Sequence, residues 1–156
     1  MKLDYPQALK RVDEARGAWI MYGQEPLLEQ NLLDAFRQSW HKQEIERQRY
    51  DISNVGDWKT VFNALNSLSL FSNQLAIEVH GKIKPDASSL KLLKHYIQHN
   101  EQNLLLVVMP KQDSSSLKSS FFQVVDANGV TVPLTANYPQ DRQRILGIEA
   151  EKLEIG

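Results

Sequence analysis

"NLLLVVMP", residues 103–110, sets five consecutive aliphatic residues and a methionine between an asparagine and a proline. A strand with one face in water alternates apolar and polar residues. An unbroken run therefore predicts a strand covered on both faces, at the centre of a parallel sheet. Such a strand needs helices above and below it, and the flanking sequence supplies them. "DASSLKLLKHYIQHN" repeats Leu90, Leu93 and Ile97 at helical spacing, and "SSLKSSFFQVVDAN" reads as a helix capped by Ser114 or Asp113 and ended by Gly129.

Outward from this centre the alternation continues. "VTVPL" is a last strand, and "QLAIEVHG" sets Leu75, Ile77 and Val79 against polar neighbours as a third. Between "QLAIEVHG" and the polar, edge-like strand "EIERQRYDI" runs a helix through Trp58, Val61, Phe62 and Leu65, with Asp57 as its expected N-cap. Upstream, "EPLLEQNLLDAFRQSWHKQ" brings Leu28, Leu32, Ala35, Phe36 and Trp40 near one face and tolerates Pro26 in its first turn. It follows the buried strand "AWIMYG", closed by Gly23, and a short amphipathic helix in "YPQALKRVDEAR" with Pro6 near its start. The fold class is α/β: three layers, a mostly parallel five-stranded sheet with helices on both faces, occupying residues 1–135. Residues 136–156 are expected to be a linker and the first helix of a following helical domain.

The 156 residues carry 42% hydrophobic and 24% charged side chains, which is a foldable balance, and a net charge of -1 with a pI near 6.4. No global positive field draws in nucleic acid or an anionic membrane. The mixed stretch "RQSWHKQEIERQR" reads as a solvated surface, with a minor DNA contact as the alternative. Cysteine is absent, which removes disulfides and thiolate chemistry. With no signal-like N-terminus and no apolar run near the ~20 residues that span a bilayer, the expected setting is the cytoplasm.

In a sheet of this kind a ligand sits beyond the carboxyl ends of the strands, and the first strand-to-helix turn is the phosphate cradle. Here that turn reads "MYGQEPLLEQ". A P-loop needs G-x-x-x-x-G-K-[ST]; this turn keeps Gly23, has no Lys or Ser/Thr, and puts Glu25 where phosphate charge would lie. Pro26 also withdraws an N–H donor from the helix start. The aliphatic strand ends in Met109, Pro110 and Lys111, not in a magnesium-binding acidic pair, and Asp113 is better explained as a helix cap. His95 and His99 stand four apart on a helix, a spacing that can bring two imidazoles to one metal, but no Cys and no H-E-x-x-H context accompanies them, and two solvated histidines are the alternative. Ser114 to Ser116 lack the G-x-S-x-G elbow of a hydrolase. Neither a catalytic centre, nor a cofactor site, nor a metal site is expected.

One apolar pair is left over. In "LNSLSLFSNQ", residues 65–74, Leu65 and Leu68 continue the helical stripe of Trp58, Val61 and Phe62. A further turn would put Leu70 about 150° and Phe71 about 110° from the middle of that face. Two readings are open: the helix ends and both side chains fold back onto the core, or the pair protrudes into a pocket on another protein.

"YGQEPLLEQNLLDAFRQ", "DWKTVFNALNSLSLF" and "NLLLVVMPK", in this order, resemble the N-terminal part of the delta subunit of bacterial DNA polymerase III, a clamp-loader component. The resemblance implies a RecA/AAA+-like fold without nucleotide motifs, no catalysis, and a mechanical role: gripping the ring-shaped sliding clamp (beta subunit) and favouring its open form for loading onto primed DNA. It implies the other loader subunits, gamma/tau and delta prime, as further partners, and no membrane. Clamp-binding peptides of this group tend to the form Q-L-S-L-F. By that match Leu70 and Phe71 are the main anchors, Leu68 and Ser69 support them, and Ser67 stands where the pattern has Gln. The alternatives are a degenerate AAA+ nucleotide-binding ATPase subunit and a DNA-binding module.

Overall fold

The computed structural model describes residues 1–68, 74–99 and 102–135. In chain order it contains α1 (Tyr5–Leu9), β1 (Gly17–Gly23), α2 (Pro26–Lys42), β2 (Glu46–Ile52), α3 (Gly56–Leu68), β3 (Leu75–Gly81), α4 (Ala87–His99), β4 (Leu104–Met109), α5 (Ser114–Leu117), α6 (Ser120–Asn128) and β5 (Val130–Leu134). The strands form one sheet in the order β2-β3-β4-β1-β5, every neighbouring pair parallel. β4 lies in the middle and β2 on an outer edge, as the aliphatic run and the polar strand predict.

Successive side chains of a strand point to opposite faces, so β4 feeds two cores. Leu104, Leu106 and Val108 join Trp19 and Met21 of β1 with Leu28, Leu32, Phe36 and Trp40 of α2. Leu105, Val107 and Met109 join Ile20, Ile77 and Val79 with Trp58 and Phe62 of α3, Tyr96 of α4 and Phe121 of α6. Thus α1 and α2 cover one face, and α3, α4 and α6 the other. Each fully buried aliphatic contributes about 1.5–3 kcal/mol, before the entropy of ordering it.

Three local expectations are corrected. Asp57 is not the N-cap of α3; it lies within the first turn and pairs reciprocally with Asn54. Asn54 Oδ1 accepts from the Asp57 N–H at 3.2 Å, and Asp57 Oδ2 accepts from the Asn54 N–H at 3.1 Å. The first helix is shorter than "YPQALKRVDEAR": Asp4 and Gln7 form its capping box, and past Leu9 the backbone tightens to bonds three residues apart, Arg11 N–H to Ala8 and Glu14 N–H to Arg11. The helix expected across "SSLKSSFFQVVDAN" is two helices, because Ser119 adopts an extended conformation and starts α6 anew.

The amino end of the sheet is fastened by polar groups. The buried Tyr96 hydroxyl lies 2.9 Å from the carbonyl oxygen of Gly17 and 3.0 Å from that of Asn103, and the Asn103 side chain accepts from the Leu75 N–H at 2.8 Å. One phenol thus binds α4 to the starts of β1 and β4, and burial pushes its pKa up, keeping it a donor. At the β5 edge the first residues pair with Thr131, through Leu3 N–H to Thr131 and Thr131 N–H to Met1. Tyr96→Phe, which keeps the ring and removes only the donor, is expected to lower stability by about 1 kcal/mol, read as a lower urea midpoint with unchanged slope.

Candidate functional site

The topology fixes where a site for a small ligand would be. β1 is followed by α2 on one face, while its neighbour β4 is followed by α5 and α6, of which α6 packs on the other face. Their carboxyl ends therefore flank the switch-point crevice of the sheet. On the β1 side only Gln24 and Glu25 separate the strand from α2. Gly23 is required there by close approach: a Cβ would sit 2.5 Å from the carbonyl oxygen of Leu134 on β5. Pro26 opens α2 directly, and the exposed Glu25 takes the N-cap position without a side-chain capping bond. Two residues cannot curl several N–H groups around a phosphate, and the charge they bring is negative.

On the β4 side, Met109 is followed by the exposed Pro110 and Lys111. Asp113 caps α5, accepting from the Ser116 N–H at 2.7 Å and the Ser115 hydroxyl at 2.9 Å. Those bonds, the backbone one foremost, hold its carboxyl below the usual range, so its charge is committed to the helix start. Of the two caps the sequence allows, Asp113 and not Ser114 is used. Among the described residues no three His, Cys, Asp or Glu side chains group as a metal site.

At the opposite end of the sheet, α3 carries the apolar stripe to its last turn. Trp58, Val61, Phe62 and Leu65 are all at most 1% exposed. Leu68 ends the helix, and Ser67 precedes it in the last turn. The side chains of Ser67 and Leu68, and all of Ser69, Leu70 and Phe71, lie outside the described residues, as do residues 136–156. The chain is described again from Gln74, whose carbonyl accepts from Glu46 N–H at 3.4 Å, and the next N–H, of Leu75, is taken by Asn103.

A cluster that the sequence reading passed over lies on the α2 side of the sheet. Glu78 of β3 is 0% exposed, although strand alternation marks it as a polar neighbour of the core. Both of its oxygens are used: Arg37 of α2 binds them at 3.1 and 2.8 Å, Arg47 of β2 at 3.2 and 3.3 Å, and His80 donates at 2.6 Å. "RQSWHKQEIERQR" is therefore only partly a solvated surface; two of its arginines turn inward to one carboxylate, because a buried charge must be paired. The available signal was an acid in a strand flanked by aliphatics, with arginines on two neighbouring elements.

Burial pushes the Glu78 pKa up, but hydrogen bonds from His80, Arg37 and Arg47 outweigh it, and the net shift is strongly downward. For a depressed carboxyl the stabilising contribution is complete above the unfolded value, about 4.3, and is lost as pH falls from there toward the folded value. Glu78→Gln is expected to cost about 2–3 kcal/mol at pH 7 and to flatten the acid loss of stability below about pH 4, measured by urea melts at several pH values.

Taken together, the sheet order and the crevice define a three-layer α/β domain with a parallel five-stranded sheet, whose first strand-to-helix connection is a plain two-residue turn. The chain belongs to the DNA polymerase III delta-subunit family, whose model matches residues 19–134. It is similar to DNA polymerase III subunit delta of Escherichia coli strain K12, 27% identical over 157 aligned positions, which cover 97% of this chain and 46% of that protein. Its fold is like that of the Bacillus subtilis DNA clamp loader delta protein, with a TM-score of 0.58 at 15% identity over 83% of this chain and 42% of that one. The chain thus spans less than half the length of these relatives. Among the described residues no helix is long and apolar enough to cross a membrane.

Proposed function

We propose that this chain is the N-terminal, clamp-binding part of a clamp-loader delta subunit acting in DNA replication in the cytoplasm. It takes hold of the sliding clamp (beta subunit) through a hydrophobic plug, Leu70 and Phe71, with Leu68, Ser69 and Ser67 around it. It then favours the open ring that is loaded onto primed DNA, together with gamma/tau and delta prime subunits. The observation that carries this reading is the family match, whose span, residues 19–134, includes the S-L-F stretch. The place of that stretch supports it: it follows directly on α3, whose Trp58, Val61, Phe62 and Leu65 are buried in the core.

The mechanism is differential binding. Two apolar anchors entering a pocket contribute about 1.5–3 kcal/mol each before ordering costs, and only the part of that energy realised with the open ring shifts the ring equilibrium. No chemistry is assigned to the domain. The two-residue turn of Gln24 and Glu25 before Pro26, and the capping role of Asp113, support a non-catalytic subunit. DNA contact is left to the full assembly.

In a calorimetric titration with a bacterial sliding clamp, the Leu70→Ala, Phe71→Ala double variant is expected to lose at least a hundredfold in affinity; equal affinity of variant and wild type sinks the anchor assignment. In a separate titration with ATP and magnesium, no saturable binding is expected up to millimolar nucleotide. Binding or turnover there would favour the degenerate-ATPase alternative.

A further inference from the structure

The two histidines of α4 remain unassigned. His95 and His99 are both exposed, one helical turn apart on the same face, and their rings stack with centroids 4.2 Å apart and planes inclined by 27°. His99 Nδ1 donates to the backbone oxygen of His95 at 2.9 Å. A carbonyl oxygen can only accept, so the proton of neutral His99 is on Nδ1, and its Nε2 presents a free lone pair to solvent. A backbone carbonyl on the second ring nitrogen is the usual device for fixing a ligating imidazole in one tautomer.

We propose that His95 and His99 form a two-imidazole chelate for a divalent first-row transition ion that accepts ligands at right angles, Ni2+ or Cu2+. The two exposed imidazoles stand one turn apart on the same helix face, and among divalent first-row ions Ni2+ and Cu2+ rank high for imidazole nitrogen. Binding requires the stack to open about its hinge, a rotation of terminal ring torsions, which are broad and soft. Among the described residues no third ligand joins the two in a group.

The test is calorimetric titration of the chain, free of any histidine tag, with NiCl2 at pH 8. One ion per chain is expected, with a gain in melting temperature that EDTA reverses. His95→Ala and His99→Ala should each lower the Ni2+ affinity at least tenfold and abolish the thermal gain. Both side chains are exposed, and far-ultraviolet circular dichroism of the metal-free variants verifies that they fold. Undiminished Ni2+ binding in either variant, no saturable binding at millimolar NiCl2, or tighter binding of Zn2+ than of Ni2+ overturns the assignment.

Discussion

The two-sided burial of β4 is the constraint on which the rest of the molecule depends. A strand with no polar face cannot lie at an edge or under a single layer of helices, so its five aliphatics and Met109 demand a covering layer on each side. With parallel neighbours on both flanks, each connection must cross the sheet as a helix, which fixes three layers and one direction for all five strands. The switch-point crevice follows from that topology and not from any residue in it. This is why the crevice persists although Glu25 and Pro26 make its first turn unsuited to phosphate: a fold keeps the geometry its core requires, whatever chemistry its loops carry.

The two ends of the sheet are correspondingly unlike. At the carboxyl end, Asp113 is consumed locally by the start of α5, and Glu25 stands exposed at the start of α2. On the α2 side a deeply buried carboxylate, Glu78, binds three elements together through Arg37, Arg47 and His80. Edge strand β2 is poor in apolar contacts, and this ionic clasp substitutes for them. An ion cluster of that kind is a weak source of net stability beside an apolar replacement, yet costly to break by halves, so it fixes how α2 and β2 lie more than it strengthens the fold.

The sequence made the architecture legible because its main signals are long and periodic. The aliphatic run of β4, the stripe from Trp58 to Leu65 and the Pro26 helix start each have one economical structural meaning. Its failures were local and polar. Asp57 and Asn54 are both good caps three residues apart, and only geometry says which is Ncap and which answers it. Ser119 could continue a helix or begin one, and the hydroxyl-rich stretch offered no periodicity to decide. Glu78 was misread because alternation predicts one wet face, whereas a strand covered on both sides buries every residue and pairs the odd acid from afar. The Leu70 and Phe71 assignment came from a family resemblance, since large apolar residues are usually buried and helical angles alone leave that reading standing.

The ends of the stretch from Ser69 to Asn73 have a mechanical meaning. On one side the chain departs from a helix whose Trp58, Val61, Phe62 and Leu65 are sunk in the core; on the other it re-enters at Leu75, whose N–H is gripped by Asn103, itself joined to Tyr96. Both ends are tied into the sheet itself, so load applied at either one passes directly into the strands and moves the domain as a body instead of peeling an edge from it.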